Sequence, residues 1–177
     1  MKLLKQFVLT ILSVLYFCMH INSAGASVLI SNMRIGNQSD GSRVVLDMDK
    51  SANYRVFLLD NPKRVVIDLY DANINSLPTK VNNQVVAKAR VGKLEGNDKR
   101  IVMDLSRPAT IKKVFAIPPQ SGQNWRLVVD LLMGNDSQFK AQIGNKHIIT
   151  NDTTFVIKEE TSKGWWSSSN EEQKNKN

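Results

Sequence analysis

One six-residue pattern occurs four times in this chain, and it constrains the fold more than any other feature. It reads Arg, three apolar residues, Asp, apolar. The copies are Arg43-Val44-Val45-Leu46-Asp47-Met48, Arg64-Val65-Val66-Ile67-Asp68-Leu69, Arg100-Ile101-Val102-Met103-Asp104-Leu105 and Arg126-Leu127-Val128-Val129-Asp130-Leu131. The first and third start 57 residues apart, the second and fourth 62. An echo precedes each pair, Arg34-Ile35-Gly36 and Arg90-Val91-Gly92. The chain therefore contains a duplicated unit, roughly 28–80 and 84–135. Two copies are too few for a solenoid, so a pseudo-symmetric single domain fits the repeat.

The repeated segments are short, rich in β-branched residues and bounded by turn residues, which favours strands over helices. Turn signals lie at 39–42, 60–63, 96–98 and 118–124. The pattern predicts strands near 28–35, 42–49, 54–59, 64–70, 84–94, 99–105, 111–117 and 125–131. Evenly spaced short strands of this kind build an all-β sandwich of two antiparallel sheets.

Strand parity then assigns faces, because successive side chains point to opposite sides. Val44, Leu46 and Met48 share one face with the core, as do Val65, Ile67 and Leu69, then Ile101, Met103 and Leu105, then Leu127, Val129 and Leu131. Trp125 shares parity with Leu127 and Val129 and belongs to the same core face. The opposite face of each copy carries Arg, an apolar residue and Asp. Arg and Asp four apart stand about 13 Å from each other along a strand, too far to pair. Each can pair with the opposite charge on a neighbouring antiparallel strand. Two readings follow. Either the face is a charge-laced surface that holds register, or part of it receives a polar, acid-bearing ligand.

Charge and composition exclude several functions. The chain has 24 Lys and Arg against 16 Asp and Glu, a net charge of +8. Residues 158–177 hold four Lys and four Glu, so beyond residue 26 the excess of +6 falls within 27–157. The one cysteine, Cys18, and one of the two histidines, His20, precede residue 27, which leaves His147 alone. Disulfides, thiol catalysis, cysteine zinc sites and sites needing two histidines are excluded for the remainder. A Ser-His-Asp arrangement has only His147 to use, in a polar stretch after the core. The glycines sit in turns and form no phosphate loop. No cofactor or metal is expected.

The N-terminus reads as an export signal. Lys2 and Lys5 precede an apolar run over 7–21, and Ala24-Gly25-Ala26 follows as a small-residue cleavage site. The run is short for a membrane span, which needs about 20 residues, so a cleaved signal is favoured over the alternative, a permanent N-terminal anchor; no other apolar run approaches that length, and no transmembrane span is expected after cleavage. Phe17 stands before Cys18 where a lipid-attachment signal has a small residue. Export to the periplasm makes nucleic acid an unsuitable partner for the basic charge. The expected organisation is a signal peptide over 1–26, a β-sandwich domain over 27–135, an extra hairpin or strands over 136–157 and a polar disordered tail over 158–177. Within the third segment, 139–149 is expected to form a hairpin around Gly144-Asn145, and 153–157 a further strand. Trp165-Trp166 in the tail is either a docking pair or a chance one.

The order Val28 to Gly36, Ser42 to Asp47, and Tyr54 through Asp60-Asn61-Pro62-Lys63-Arg64 to Leu69 resembles the AMIN domain. Lys99 to Asp104 and Trp125 to Leu131 match the other half of that module. The resemblance covers about 105 residues and rests on the order of motifs rather than on any one of them. AMIN domains precede the catalytic part of periplasmic N-acetylmuramoyl-L-alanine amidases and also occur in pilus secretins. The resemblance implies two symmetry-related sheets, peptidoglycan binding and recruitment to the division site. The catalytic part of those amidases holds zinc with two histidines and a glutamate. After residue 135 this chain has His147, four glutamates and about 40 residues, which is too little for it.

The expectation is therefore a non-enzymatic, peptidoglycan-binding localisation module of an amidase-type protein. The alternative is a protein-interaction adaptor in a pilus, secretin or other envelope complex. Arginine suits stem-peptide carboxylates because its planar fork donates two parallel hydrogen bonds. The candidate binding residues are Arg43, Arg64, Arg100 and Arg126, with Asp47, Asp68, Asp104 and Asp130 to orient them or to accept from sugar hydroxyls. Duplication predicts two similar weak sites that gain from attachment to one polymer.

Overall fold

The computed structural model describes Gln6 and residues 26–75 and 81–149. The segment expected to be an export signal (apart from Gln6 and Ala26), the strand expected over 153–157 and the tail with Trp165-Trp166 lie outside the described residues. The elements are β1 (Val28–Gln38), β2 (Gly41–Met48), β3 (Asn53–Leu59), β4 (Arg64–Tyr70), β5 (Ala72–Ile74), β6 (Val86–Lys93), β7 (Lys99–Leu105), β8 (Ala109–Ile117), β9 (Trp125–Met133), α1 (Asp136–Gln142) and β10 (Lys146–Ile149). All eight strands expected from the pattern are present. The additions are the three-residue β5, the helix and β10.

Two five-stranded sheets pack as a sandwich. The first has the order β5-β1-β2-β9-β8 and the second β10-β3-β4-β7-β6. All neighbours are antiparallel except β1 and β5. The duplicated units are interleaved rather than side by side. Each sheet takes two long strands from each copy: β1 and β2 join β8 and β9, while β3 and β4 join β6 and β7. A pseudo-twofold thus exchanges the sheets, β2 standing for β7 and β4 for β9. Neither unit can close a sheet alone, which makes the pair a single folding domain.

The parity reading holds at the core. Val44, Leu46, Val65, Ile67, Leu69, Ile101, Met103, Leu127 and Val129 are fully buried, and Met48 and Leu131 nearly so. Trp125 packs against this cluster. Close approach of β2 and β9 within the first sheet also requires glycine at the start of β2. A Cβ on Gly41 would stand 1.8 Å from the Leu131 carbonyl oxygen of β9, so any side chain there forces those strands apart.

The segment after β9 corrects the expected hairpin over 139–149. It forms α1 instead, followed by a single strand. Asn135 makes a capping box: its side chain accepts from Gln138 N at 2.9 Å, and Gln138 Oε1 accepts from Asn135 N at 3.0 Å. Phe139 on the inner face is fully buried in the core. Gln142 brackets Ile111 in β8, accepting from its N–H at 2.8 Å and donating to its carbonyl at 3.2 Å. Those bonds satisfy the backbone where the β8–β9 ladder shifts between Ile111 and Lys113. Gly144, with φ of +91°, then turns the chain into β10 on the outer edge of β3. The cap outweighs the turn signal because it fixes a helix whose one large apolar side chain has a core position to fill. Truncating Phe139→Ala should therefore cost about 3–5 kcal/mol in urea unfolding, as for core aromatics. A loss under about 1 kcal/mol would mean that α1 is not docked.

Candidate functional site

The outward face of each sheet is organised around aspartates, each facing basic side chains across the ladder. Four such stations exist among the described residues, one per copy of the repeat, and their environments differ.

The first is closed. In the second sheet Asp68 of β4 stands directly opposite Arg55 of β3 and Arg100 of β7. Arg55 donates to Asp68 Oδ2 from Nε at 3.0 Å and from Nη2 at 2.5 Å. Arg100 donates from Nε to Oδ1 at 2.5 Å and from Nη2 to Oδ2 at 2.9 Å. Asp68 is fully buried, Arg100 is 2% exposed and Arg55 6%. Phe57 lies under both guanidiniums, 5.1 Å from Arg55 Cζ and 5.8 Å from Arg100 Cζ. Two of the expected binding residues, Asp68 and Arg100, are thus committed to the interior of the sheet. Parity showed which face they occupy. It did not show that the long arginine stems and Phe57 cover that face.

Beside it on the same sheet, Asp104 of β7 receives Arg64 Nε at 3.3 Å from β4 and a short bond from Arg90 of β6. All three residues are partly buried. On the first sheet, Asp130 of β9 takes a bidentate fork from Arg43 of β2, with Nε at 2.6 Å and Nη2 at 2.8 Å. The Asp130 carboxylate raises the Arg43 pKa through that hydrogen bond. Arg43 is exposed, so this pair contributes at most about 1 kcal/mol.

The fourth station is open. Register sets Asp47 of β2 against Arg126 of β9, the counterpart of Asp104 against Arg64. Here the carboxylate is taken from the other side. Arg34 Nη2 of β1 donates to Asp47 Oδ1 at 2.8 Å, and Asn32 Nδ2 to Oδ2 at 3.4 Å. Arg126 Nε is left buried and without a hydrogen-bond partner. An open cleft of about 470 Å³ lies at this point, lined by Ser31, Asn32, Arg34, Asp47, Gly122, Gln123, Asn124 and Arg126. Its far wall is the β8–β9 turn. Arg34, Asn32, Arg90 and Arg55 were not among the expected site residues. The Arg34 and Arg90 echoes carried the only sequence signal for two of them.

Tyr70, at the end of β4, has its hydroxyl pKa pushed up to about 12, chiefly by burial, with Arg55, Asp68, Arg100 and Asp98 close enough to act on it. Burial raises Tyr54 as well. Among the described residues, no group of three or more His, Cys, Asp or Glu side chains could hold a metal. No described helix is long and apolar enough to cross a membrane.

Two measurements separate these environments. Asp68→Ala strands two buried guanidiniums and should cost about 3–5 kcal/mol in urea unfolding, whereas Asp130→Ala should cost at most about 1 kcal/mol. Equal losses would contradict the burial difference. In an ultraviolet titration, neither Tyr54 nor Tyr70 should ionise near pH 10 while the protein stays folded. The folded pKa of Tyr70 lies above the unfolded value. Its contribution to stability is therefore complete below pH 10 and lost as the pH rises through about 12. More than one of the three tyrosines ionising near pH 10 in the folded state would be incompatible with the buried pair.

Comparison with known proteins agrees with the geometry. The sequence matches the AMIN domain over residues 32–131, the span from β1 to β9 that contains all four stations. It is 38% identical over 96 residues to the N-acetylmuramoyl-L-alanine amidase AmiC of Neisseria meningitidis serogroup B, covering 51% of this chain and 23% of that protein. It is 30% identical over 121 residues to the AmiC amidase of Escherichia coli O6:H1, covering 65% of this chain and 28% of that protein. The chain thus spans about a quarter of the length of these curated relatives. The shared stretch is their AMIN targeting region and not their catalytic part, so residues 32–131 are a non-catalytic module. Its interleaved sandwich and its motif order place this chain in the AMIN domain family.

Proposed function

We propose that this domain binds peptidoglycan in the periplasm and so positions an amidase-type protein on the cell wall, including the division septum. The observation that carries the reading is the AMIN match shared with two amidases. Three further features support it. The chain carries a net charge of +8, which attracts a polymer bearing stem-peptide carboxylates. Three of the four Asp-centred stations lie at the sheet surfaces, where a polymer can reach Arg43, Arg64, Asp47, Asp104, Arg126 and Asp130. The N-terminal sequence has the basic, apolar and small-residue order of an export signal. Asp68 and Arg100 have no part in this reading except to hold the second sheet in register.

The test is co-sedimentation of the purified protein with protein-free sacculi at low and at high salt. The protein should pellet with the sacculi at low salt and partly release as salt rises, because exposed charges beyond about 10 Å are screened. Absence of pelleting at any salt would overturn the reading. Capture only when an envelope protein is added would favour the adaptor role.

A further inference from the structure

We infer that the cleft between β1, β2, β9 and the β8–β9 turn is a binding site for the carboxylate end of a short peptide, with Arg126 as its anchor. The choice of a stem peptide as the source of that carboxylate rests on the peptidoglycan reading above. The site itself is argued from the geometry.

The starting point is a broken symmetry. At the equivalent place on the second sheet, Asp104 is bonded by arginines from both sides, Arg64 and Arg90. At Asp47 only one side is bonded. Arg34 and Asn32 occupy the two carboxylate oxygens, and Arg126 Nε stays buried with no acceptor. A buried donor without a partner carries its full desolvation cost with nothing to offset it. That cost disappears if an acceptor arrives from outside, and the cleft gives an acceptor the room to do so.

The lining states what kind of acceptor. Arg34, Arg126 and Asp47 sum to one positive charge, which one monoanion neutralises. A dianionic phosphate would leave excess negative charge against Asp47. A carboxylate is planar and monoanionic, and it matches a guanidinium fork. The remaining walls are amides and hydroxyls: Asn32, Gln123, Asn124, Ser31 and the Gly122 backbone. Such groups both donate and accept, as peptide bonds require. No aromatic side chain lines the cleft. Trp125, the nearest in sequence, packs into the core. The cleft therefore lacks the stacking platform that a sugar ring prefers. Its volume of about 470 Å³ lies within the range of small-ligand clefts. The ligand class is thus a peptide with a free carboxylate, not a glycan and not a phosphate.

The experiment uses isotope-labelled protein and two probes, N-acetyl-D-alanyl-D-alanine and its C-terminal carboxamide, followed by amide chemical shifts. The acid should shift residues 31–34 and 122–126, and the carboxamide should bind at least about ten-fold more weakly. Inorganic phosphate at the same concentration should give no saturable shift at those residues. Arg126→Gln should lose binding of the acid. Arg34→Gln, a change at an exposed side chain, should weaken it and provides a second variant if the first unfolds. Lys93→Gln on β6 removes one exposed charge elsewhere and should leave binding unchanged. Equal binding of acid and carboxamide, saturable phosphate binding at the cleft, or shifts confined to other residues would overturn the inference. Sedimentation distinguishes it from the functional reading. If the wild type pellets with sacculi but the acid probe produces no shifts, the cleft assignment fails and the peptidoglycan reading stands. If the acid binds in the cleft but sacculi do not pellet the protein, the peptidoglycan reading fails and the cleft remains a peptide-carboxylate site.

Discussion

The carboxylate of Asp68, held between Arg55 and Arg100, is the interaction on which the second sheet depends. It lies in the middle of β3-β4-β7, fully buried, and four hydrogen bonds converge on its two oxygens. Burying one carboxylate and two guanidiniums carries a large desolvation cost, repaid only when the geometry is correct. A one-residue slip of β4 would turn Asp68 into the apolar core and bring the core residue Ile67 or Leu69 to the outer face. Such a slip is prohibitively unfavourable. The triad therefore fixes register across three strands at once, while the apolar inner faces supply most of the driving force.

Because the two copies are interleaved, the same sequence pattern is used twice in each sheet, with different results. Arg100–Asp68 and Arg43–Asp130 are pseudo-symmetric partners. The first is sealed because β3 contributes Arg55 and Phe57 over it. The second stays at the surface, since β8 places Lys113 opposite Asp130 and Lys113 lies over Phe115 instead, 4.7 Å from its ring. Central strands built on one pattern thus acquire different roles from the strands beside them. At both Asp stations of the second sheet the carboxylate is bonded by arginines from two neighbouring strands. The first sheet retains an unsatisfied donor at Arg126, and on the proposed reading it is the sheet that meets the ligand.

How much of this was legible in the sequence follows from the same division. A period of two identified all eight long strands and assigned Val44, Ile67, Met103 and Val129 to the core, because alternation alone decides the face of a strand. The resemblance to the AMIN domain came from motif order, which survives duplication and drift. Three things were not legible. The helix α1 depends on a capping box at Asn135 and on a core position waiting for Phe139, and the second of these is a property of the folded sandwich. β5 is three residues long and carries no period. The inequality of the four Asp stations was hidden because the repeated segments are nearly identical. It is decided by residues outside them: Arg55 and Phe57 on β3, Arg90 on β6, and Arg34 and Asn32 on β1.

That inequality changes the expected mode of attachment. Duplication alone suggested two equivalent sites and a gain from simultaneous binding. Of the two pseudo-symmetric stations at Asp47 and Asp104, the first opens on a cleft and the second is filled by its own arginines. A domain with one small polar site binds a polymer weakly at any one repeat. On the proposed reading, its net positive charge acts at longer range and keeps it near an anionic surface between binding events. These two contributions respond differently to salt. The long-range part is screened over about 8–10 Å at physiological ionic strength, whereas a contact made inside the cleft, against a partly buried guanidinium, is screened much less. On the proposed reading, charge therefore sets how often the domain meets the wall. The cleft sets which chemical group it stops at, and because the two contributions depend differently on salt, each can be changed without the other.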